Sequence, residues 1–141
     1  MSDGKISPCL LCDIDGTIAM KGDRSPYDMS KVHLDTPREG MLYLLNSLHS
    51  DYYVVYMSGR NERARIDTIE WLKDKGFPRG LSLHMRADGD NRPDWLIKRE
   101  LYRSRVEPFC HVTLVLDDRD QVVKMWRELG LLTLQVDYGN F

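Results

Sequence analysis

An apolar run, Leu10-Leu11-Cys12, stops at Asp13-Ile14-Asp15-Gly16-Thr17, two carboxylates at i and i+2 followed by a glycine and a hydroxyl. A second apolar run, Tyr52–Met57, is followed by Ser58-Gly59-Arg60, and a third, His111–Leu116, by Asp117-Asp118-Arg119. Between them, Leu81–Met85 leads to Arg86, and Asp94 and Lys98 stand at i and i+4, on one face of a helix. Each group alone has a purely structural account: strand-end aspartates cap turns and helices, and surface ion pairs contribute little. Together they amount to several carboxylates, hydroxyls, a lysine and arginines. Clustered carboxylates repel one another unless a cation holds them, and oxygen donors point to Mg²⁺. Lysine, arginine, a hydroxyl and the backbone N–H groups of a glycine turn suit a phosphate dianion. The D-x-D pair then divides two roles, one acid as nucleophile at phosphorus and the other as proton shuttle. Gly16 and Thr17 turn the chain away.

Those groups need a scaffold that brings them together. Five apolar, partly β-branched runs read as strands: Cys9–Ile14, Tyr52–Met57, Leu81–Met85, His111–Leu116 and Leu132–Val136. Helical patterns alternate with them. Thr36-Pro37-Arg38-Glu39 reads as a capping box opening a helix whose apolar face is Met41, Leu44, Leu45 and Leu48. Ile66, Ile69 and Leu72 mark a second helix ending near Gly76, and Leu96, Ile97 and Leu101 a third. Val122, Val123, Trp126 and Leu129 mark a fourth, stopped by Gly130. Alternating strands and helices predict a doubly wound, Rossmann-like α/β fold, a five-stranded parallel sheet covered on both faces. In such folds ligands bind beyond the C-terminal strand ends, where every chemically loaded group falls.

The 141 residues are read as a single domain, 1–141. With 42% hydrophobic and 30% charged residues, the composition is that of a globular protein rather than a disordered one. No apolar stretch reaches the ~20 residues of a membrane span, and Met1–Pro8 has no signal-peptide core, so the expected location is the cytoplasm. Three cysteines make no disulfide framework, and Cys9 and Cys12 point to opposite faces of one strand as buried thiols. The four histidines lack ligand spacing, and Trp71, Trp95 and Trp126 read as core, with Trp95 of interest beside Asp94. The formal charge of −2 is no sign of a nucleic-acid binder, yet nine arginines crowd the stretch from Arg60 to Arg105.

Asp-Ile-Asp-Gly-Thr, Ser-Gly-Arg, Lys98 and Leu-Asp-Asp-Arg, in that order, resemble the four motifs of the haloacid dehalogenase (HAD) superfamily of phosphotransferases. Over nearly the whole chain, "RSPYDMSKV", "VVYMSGRNE", "MRADGDNRPDWLIKRELY" and "LDDRDQVVKMWRELGLLTLQVDYGNF" are similar to the 3′-phosphatase domain of phage T4-type polynucleotide kinase–phosphatases. The resemblance implies that Asp13 becomes an aspartyl-phosphate and that Asp15 is the general acid/base. It also implies that Asp117 and Asp118 bind Mg²⁺ with Asp13 and the Asp15 carbonyl, and that Ser58 and Lys98 hold the phosphoryl oxygens. Thr17, Arg24, Gly59, Arg60, Arg86 and Asp94 complete the expected substrate-binding set. No G-x-x-x-x-G-K-[ST] occurs, so 5′-kinase activity by that motif is excluded.

About 40 residues separate Thr17 from Ser58 and about 40 more separate Ser58 from Lys98, already filled by predicted elements. No cap domain fits, and residues 18–28 form at most a flap, leaving the site open to polymer ends. The expected function is Mg²⁺-dependent removal of 3′-terminal phosphates from DNA or RNA ends, with a separate kinase or ligase as possible partner and no membrane. Two alternatives stand beside it: a phosphatase of nucleotides or other small phosphoesters, and a non-catalytic binding module on the same fold.

Overall fold

The computed structural model describes residues 7–22 and 24–141. The reading of the N-terminus as leader-free concerns residues 1–6, which lie outside the described residues, as does Asp23 within the flap.

Five strands form one sheet: β1 (Ser7–Asp13), β4 (Tyr53–Asn61), β5 (Ser82–Arg86), β6 (Cys110–Asp117) and β7 (Thr133–Gln135), in the order β5-β4-β1-β6-β7. Every pairing is parallel. Central β1 shows why: Cys9 and Leu11 enter one core with Val55, Met57 and Val115, whereas Leu10 and Cys12 enter the other with Val54, Tyr56 and Leu116. A strand buried on both faces requires helices on both, and each fully buried leucine contributes about 1.5–3 kcal/mol. Helices α1 (Glu39–Leu48) and α2 (Arg65–Asp74) supply Leu45, Trp71 and Leu72 to the first layer. Helices α3 (Asp94–Leu101) and α4 (Asp120–Glu128) bring Trp95, Leu101, Val122, Met125 and Trp126 to the second. The chain leaves β1 toward β4 and β5, then crosses back to β6 and β7. The switch point therefore lies at the C-terminal end of β1, where Asp13 stands.

Three expectations need correction. Thr36 and Pro37 do not open a helix; as β3 (Thr36–Pro37) they pair antiparallel with β2 (Ala19–Met20). The Thr36 hydroxyl donates to the Met20 carbonyl, and α1 starts after Arg38 without a side-chain cap. Local cap chemistry lost to a long-range pairing that closes the flap onto the domain. In α2 the apolar residues do not define the buried face: Ile66 and Ile69 are exposed, and Thr68 and Trp71 face inward with Leu72. Thr68 faces inward because its hydroxyl receives Arg60. Ser58-Gly59-Arg60 does not follow its strand but lies within β4, in a bulge where the register jumps from Ser58↔Met85 to Asn61↔Arg86. The third helix continues past Leu101 as a π-turn over Tyr102–Val106. No cap domain is present among the described residues; between β1 and α1 they form β2, a 3-10 turn at Met29–Leu34 and β3.

Candidate active site

Asp13 ends β1 with its carboxylate in a nearly dry cleft, 6% exposed. Lys98, carried by α3, donates Nζ–H to Asp13 Oδ1 at 2.7 Å, and the Thr17 hydroxyl donates to Oδ2 at 2.8 Å. Thr17 can reach back because Gly16 adopts φ +80° and the turn is closed by bonds to the Ile14 carbonyl. A side chain at Gly16 would also collide with the Asp118 carboxylate, so two constraints demand glycine there. Asp117 and Asp118 leave β6 beside β1. Asp13, Asp117 and Asp118 each place a carboxylate oxygen so that all three lie within 4.8 Å of one another.

Carboxylates so close raise the proton affinity of Asp13 and of Asp118. Burial first, then the charge of Asp117, hold the Asp13 carboxyl well above the usual carboxylate range, despite Lys98. Asp118 is raised by burial as well. Lys98 is fully enclosed, and burial alone would discharge it; Asp117, Asp13 and Asp94 outweigh that and push its pKa up. Its Nζ lies 3.3 Å from Asp117 and 3.6 Å from Asp94. The predicted i, i+4 pair thus spans a buried site, not a solvated face. Hard oxygen donors, surplus negative charge and geometry fit Mg²⁺, with Asp13, Asp117 and Asp118 as the side chains that would hold it. The Asp15 carboxylate is not in that triad.

Asp15 faces another way. Its Oδ1 and Oδ2 receive Arg60 NH2 and Nε at 2.7 and 2.9 Å, and Arg24 approaches Oδ1 at 3.5 Å. Both arginines are anchored from behind by Asp35, whose side chain is completely buried: Arg24 Nε at 2.7 Å, Arg60 NH2 at 3.0 Å. Arg24 and Arg60, predicted to hold substrate, therefore build a clasp on Asp15. Ser58 is fully buried, its Oγ accepting the Arg60 N–H. Arg86 donates to the Gly59, Asp90 and Arg92 carbonyls and stands 3.4 Å from Asp94. Any side chain on Gly59 would strike Asp94.

Sequence reasoning missed several residues. Asp35 carries no motif, and its role appears only when the flap folds back. Trp126, read as core, also donates Nε1–H to Asp117 Oδ2 at 3.2 Å. Arg38 ties the catalytic turn to the tail, donating to the Thr17 and Gly16 carbonyls and to Asp137. Gly139 packs against the Asp118 carbonyl so closely that no side chain fits.

A doubly wound sheet with an Asp-x-Asp at its switch point, a lysine from the facing helix and a fourth-strand Asp-Asp defines a HAD-like phosphatase. The class C acid phosphatase from Bacillus anthracis shares that fold, with TM-score 0.65 at 16% identity over 98% of this chain and 68% of that one. More specifically, the chain belongs to the family of the polynucleotide kinase PNKP phosphatase domain, which matches residues 7–141. Family membership gives the enzyme class, phosphoric monoester hydrolase. A chain in a solved Pnkp1/Rnl/Hen1 complex is similar at TM-score 0.93 and 35% identity, over 99% of this chain and 49% of that one. A protein assigned as a bifunctional polynucleotide kinase/RNA ligase in Autographa californica nuclear polyhedrosis virus is 32% identical over 133 residues, 92% of this chain and 19% of that protein. The chain thus spans less than half the length of these relatives. Among the described residues no helix is long and apolar enough to cross a membrane.

Proposed function

We propose that the chain removes 3′-terminal phosphates from nucleic-acid ends through an aspartyl-phosphate on Asp13, with Mg²⁺ as cofactor. One observation carries this reading. Asp13 combines a lysine, a threonine hydroxyl and two further carboxylates around its one buried oxygen pair, two residues from a second acid outside that cluster.

An Asp13 oxygen attacks phosphorus while the bond from phosphorus to the 3′ oxygen breaks. The departing oxygen takes a proton from Asp15, leaving an acyl phosphate on Asp13. Asp15 then accepts a proton from water, whose oxygen attacks the same phosphorus, releasing inorganic phosphate and restoring the Asp13 carboxylate. Lys98 offsets charge on the nucleophile and the transferring group, and the Ser58 hydroxyl and Gly59 N–H add donors at the neighbouring strand end. Mg²⁺, when bound, neutralises the carboxylate cluster and polarises the phosphoryl oxygens. Because Asp15 lies in the Arg24–Arg60 clasp, it must turn from the arginines toward the leaving oxygen. Anionic substrate competing for those guanidiniums provides the cause.

The absence of a cap leaves room for a polymer end, and the family supports a polynucleotide substrate. Similarity to a chain of an RNA repair complex and to a polynucleotide kinase/RNA ligase supports work beside an RNA ligase, with the cytoplasm as the location this reading assigns. The test is phosphate release from a 3′-phosphorylated oligonucleotide, a 5′-phosphorylated one and a 3′-mononucleotide, with Mg²⁺ and with chelator. Metal-dependent release from the 3′ oligonucleotide alone, abolished by Asp13→Asn and Asp15→Asn, is expected. Equal turnover of the mononucleotide would sink the polymer assignment; release untouched by either substitution would sink the mechanism.

A further inference from the structure

We propose that Tyr138 is a stacking platform for the base of the nucleotide that bears the terminal phosphate. The proposal rests on the 3′-phosphatase reading and extends it from the phosphate to the nucleoside. The tail after β7 is pinned at three places. The Asp137 carboxylate receives Arg38 at 2.9 Å, and Arg38 also holds the Gly16 carbonyl at 2.9 Å. Gly139 lies against the Asp118 carbonyl, and its own carbonyl accepts the Asp120 N–H at 2.9 Å. Phe141 lies under the Arg119 guanidinium, 5.2 Å from the ring centre, and its carbonyl accepts Arg119 Nε–H.

Between the first two anchors sits Tyr138, 97% exposed. Its neighbours on either side touch the loops carrying the D-x-D and the Asp-Asp. Its own ring buries almost nothing, and among the described residues its hydroxyl makes no hydrogen bond. An immobilised backbone thus holds a solvated aromatic between two residues that contact the loops of the phosphate site.

The other rims offer less. On the β4 side the clasp of Asp15, Arg24, Arg60 and Asp35 fills the space, and on the α3 side Arg86 is committed to Asp94 and backbone carbonyls. Tyr27, 89% exposed, belongs to the flap, joined to the site only through Arg24 three residues away. Tyr43 and Phe109 are exposed too, but Phe109 precedes β6 and so lies at the opposite sheet edge. A base leaving the phosphate toward the tail meets Tyr138. Any base presents a π-face, so such a platform binds nucleic-acid ends with little sequence preference.

The experiment compares Tyr138→Ala, Tyr138→Trp and Tyr27→Ala on two 3′-phosphorylated oligonucleotides, one ending in an ordinary nucleotide and one in an abasic sugar. Tyr53→Ala, at the far end of β4, serves as control. The expected result for Tyr138→Ala is a rise in KM of about 5- to 100-fold on the ordinary end, the range of base–aromatic stacking, with kcat kept. On the abasic end Tyr138→Ala should equal the unsubstituted protein, and Tyr138→Trp should restore binding on the ordinary end. Equal losses on both ends, no loss on either, or a loss confined to Tyr27→Ala would each overturn the proposal. If the unsubstituted protein releases phosphate from neither end, the underlying 3′-phosphatase reading has failed instead.

Discussion

Asp117 accepts four donors: the backbone N–H groups of Asp118 and Arg119 on Oδ1, and Lys98 and Trp126 on Oδ2. An acid held this tightly keeps one orientation, and orientation by outer groups is worth about 10–100-fold in metal affinity. Trp126→Phe keeps most of the packing and withdraws one N–H. We expect the Mg²⁺ concentration for half-maximal activity to rise about tenfold, with activity recovered at saturating metal. A metal titration of phosphate release checks this; unchanged metal demand would make Trp126 a packing residue only. The raised carboxyls make a second prediction. Asp118 and Asp13 hold their protons better folded than unfolded, so the metal-free fold loses stability as pH rises from the ordinary carboxyl value of 3.8 toward their elevated values. Asp118→Asn stays neutral and relieves Asp13. In chelator, its melting temperature should fall less than that of the unsubstituted protein between about pH 4.5 and about pH 7.5. Parallel curves would show that the acids do not repel as described.

The β2–β3 pairing and the β4 bulge show what an element adds to its residues. The bulge carries Arg60 from the sheet edge into the domain, and the paired strands end beside Asp35, so acid and arginine meet in a dry interior. Asp35 also accepts Trp71 Nε1–H on its backbone carbonyl at 2.9 Å, which fastens the cluster to α2. Asp35→Ala would leave two buried guanidiniums with the half-exposed Asp15 as their one carboxylate, beside the Thr68 hydroxyl and the Ser25 carbonyl. Breaking such a cluster costs about 3–5 kcal/mol, measurable by denaturant unfolding. A loss under about 1 kcal/mol would mean the arginines find water instead. None of this could be read from Asp35 itself. The strand-end motifs were legible because period, apolar runs and chemistry coincide at the switch point: Asp13, Lys98 and Asp117 meet as their spacing suggested. The clasp was hidden because it is tertiary. A two-residue strand carries no periodicity, and Thr36-Pro37 offered stronger cap chemistry than strand chemistry. In α2, Ile66 and Ile69 lost the inner face to Thr68 for the same reason, a polar partner that only the folded chain presents.

At the scale of the whole molecule, the question is how far along a nucleic acid the protein reaches. The stretch from Arg60 to Arg105 is rich in arginine, and as bare sequence that reads as a basic surface. Of its nine arginines, however, Arg60, Arg65, Arg86, Arg92 and Arg103 sit in ion pairs with carboxylates of the chain. Arg92 is shared between Asp90 and Glu100, and its side-chain and backbone hydrogen bonds hold Asp90 down to about 2. A guanidinium already neutralised releases few counterions from a phosphate backbone, and the formal charge of −2 adds no long-range attraction. Recognition should therefore be confined to the terminal phosphate and the nucleotide beside it, with neighbouring phosphates left in solvent. On single strands each neutralised phosphate contributes a slope of about −0.7 to the log–log dependence of affinity on salt. We expect kcat/KM for a 3′-phosphorylated oligonucleotide to fall with a slope no steeper than about −2 between about 50 and 500 mM salt, with little dependence on oligonucleotide length. A steep slope growing with length would place a basic track on this surface that the paired arginines do not provide. On the proposed reading, broad end selectivity would follow from the same economy: a protein that grips one nucleotide and leaves the rest in solvent would accept any end carrying a 3′ phosphate.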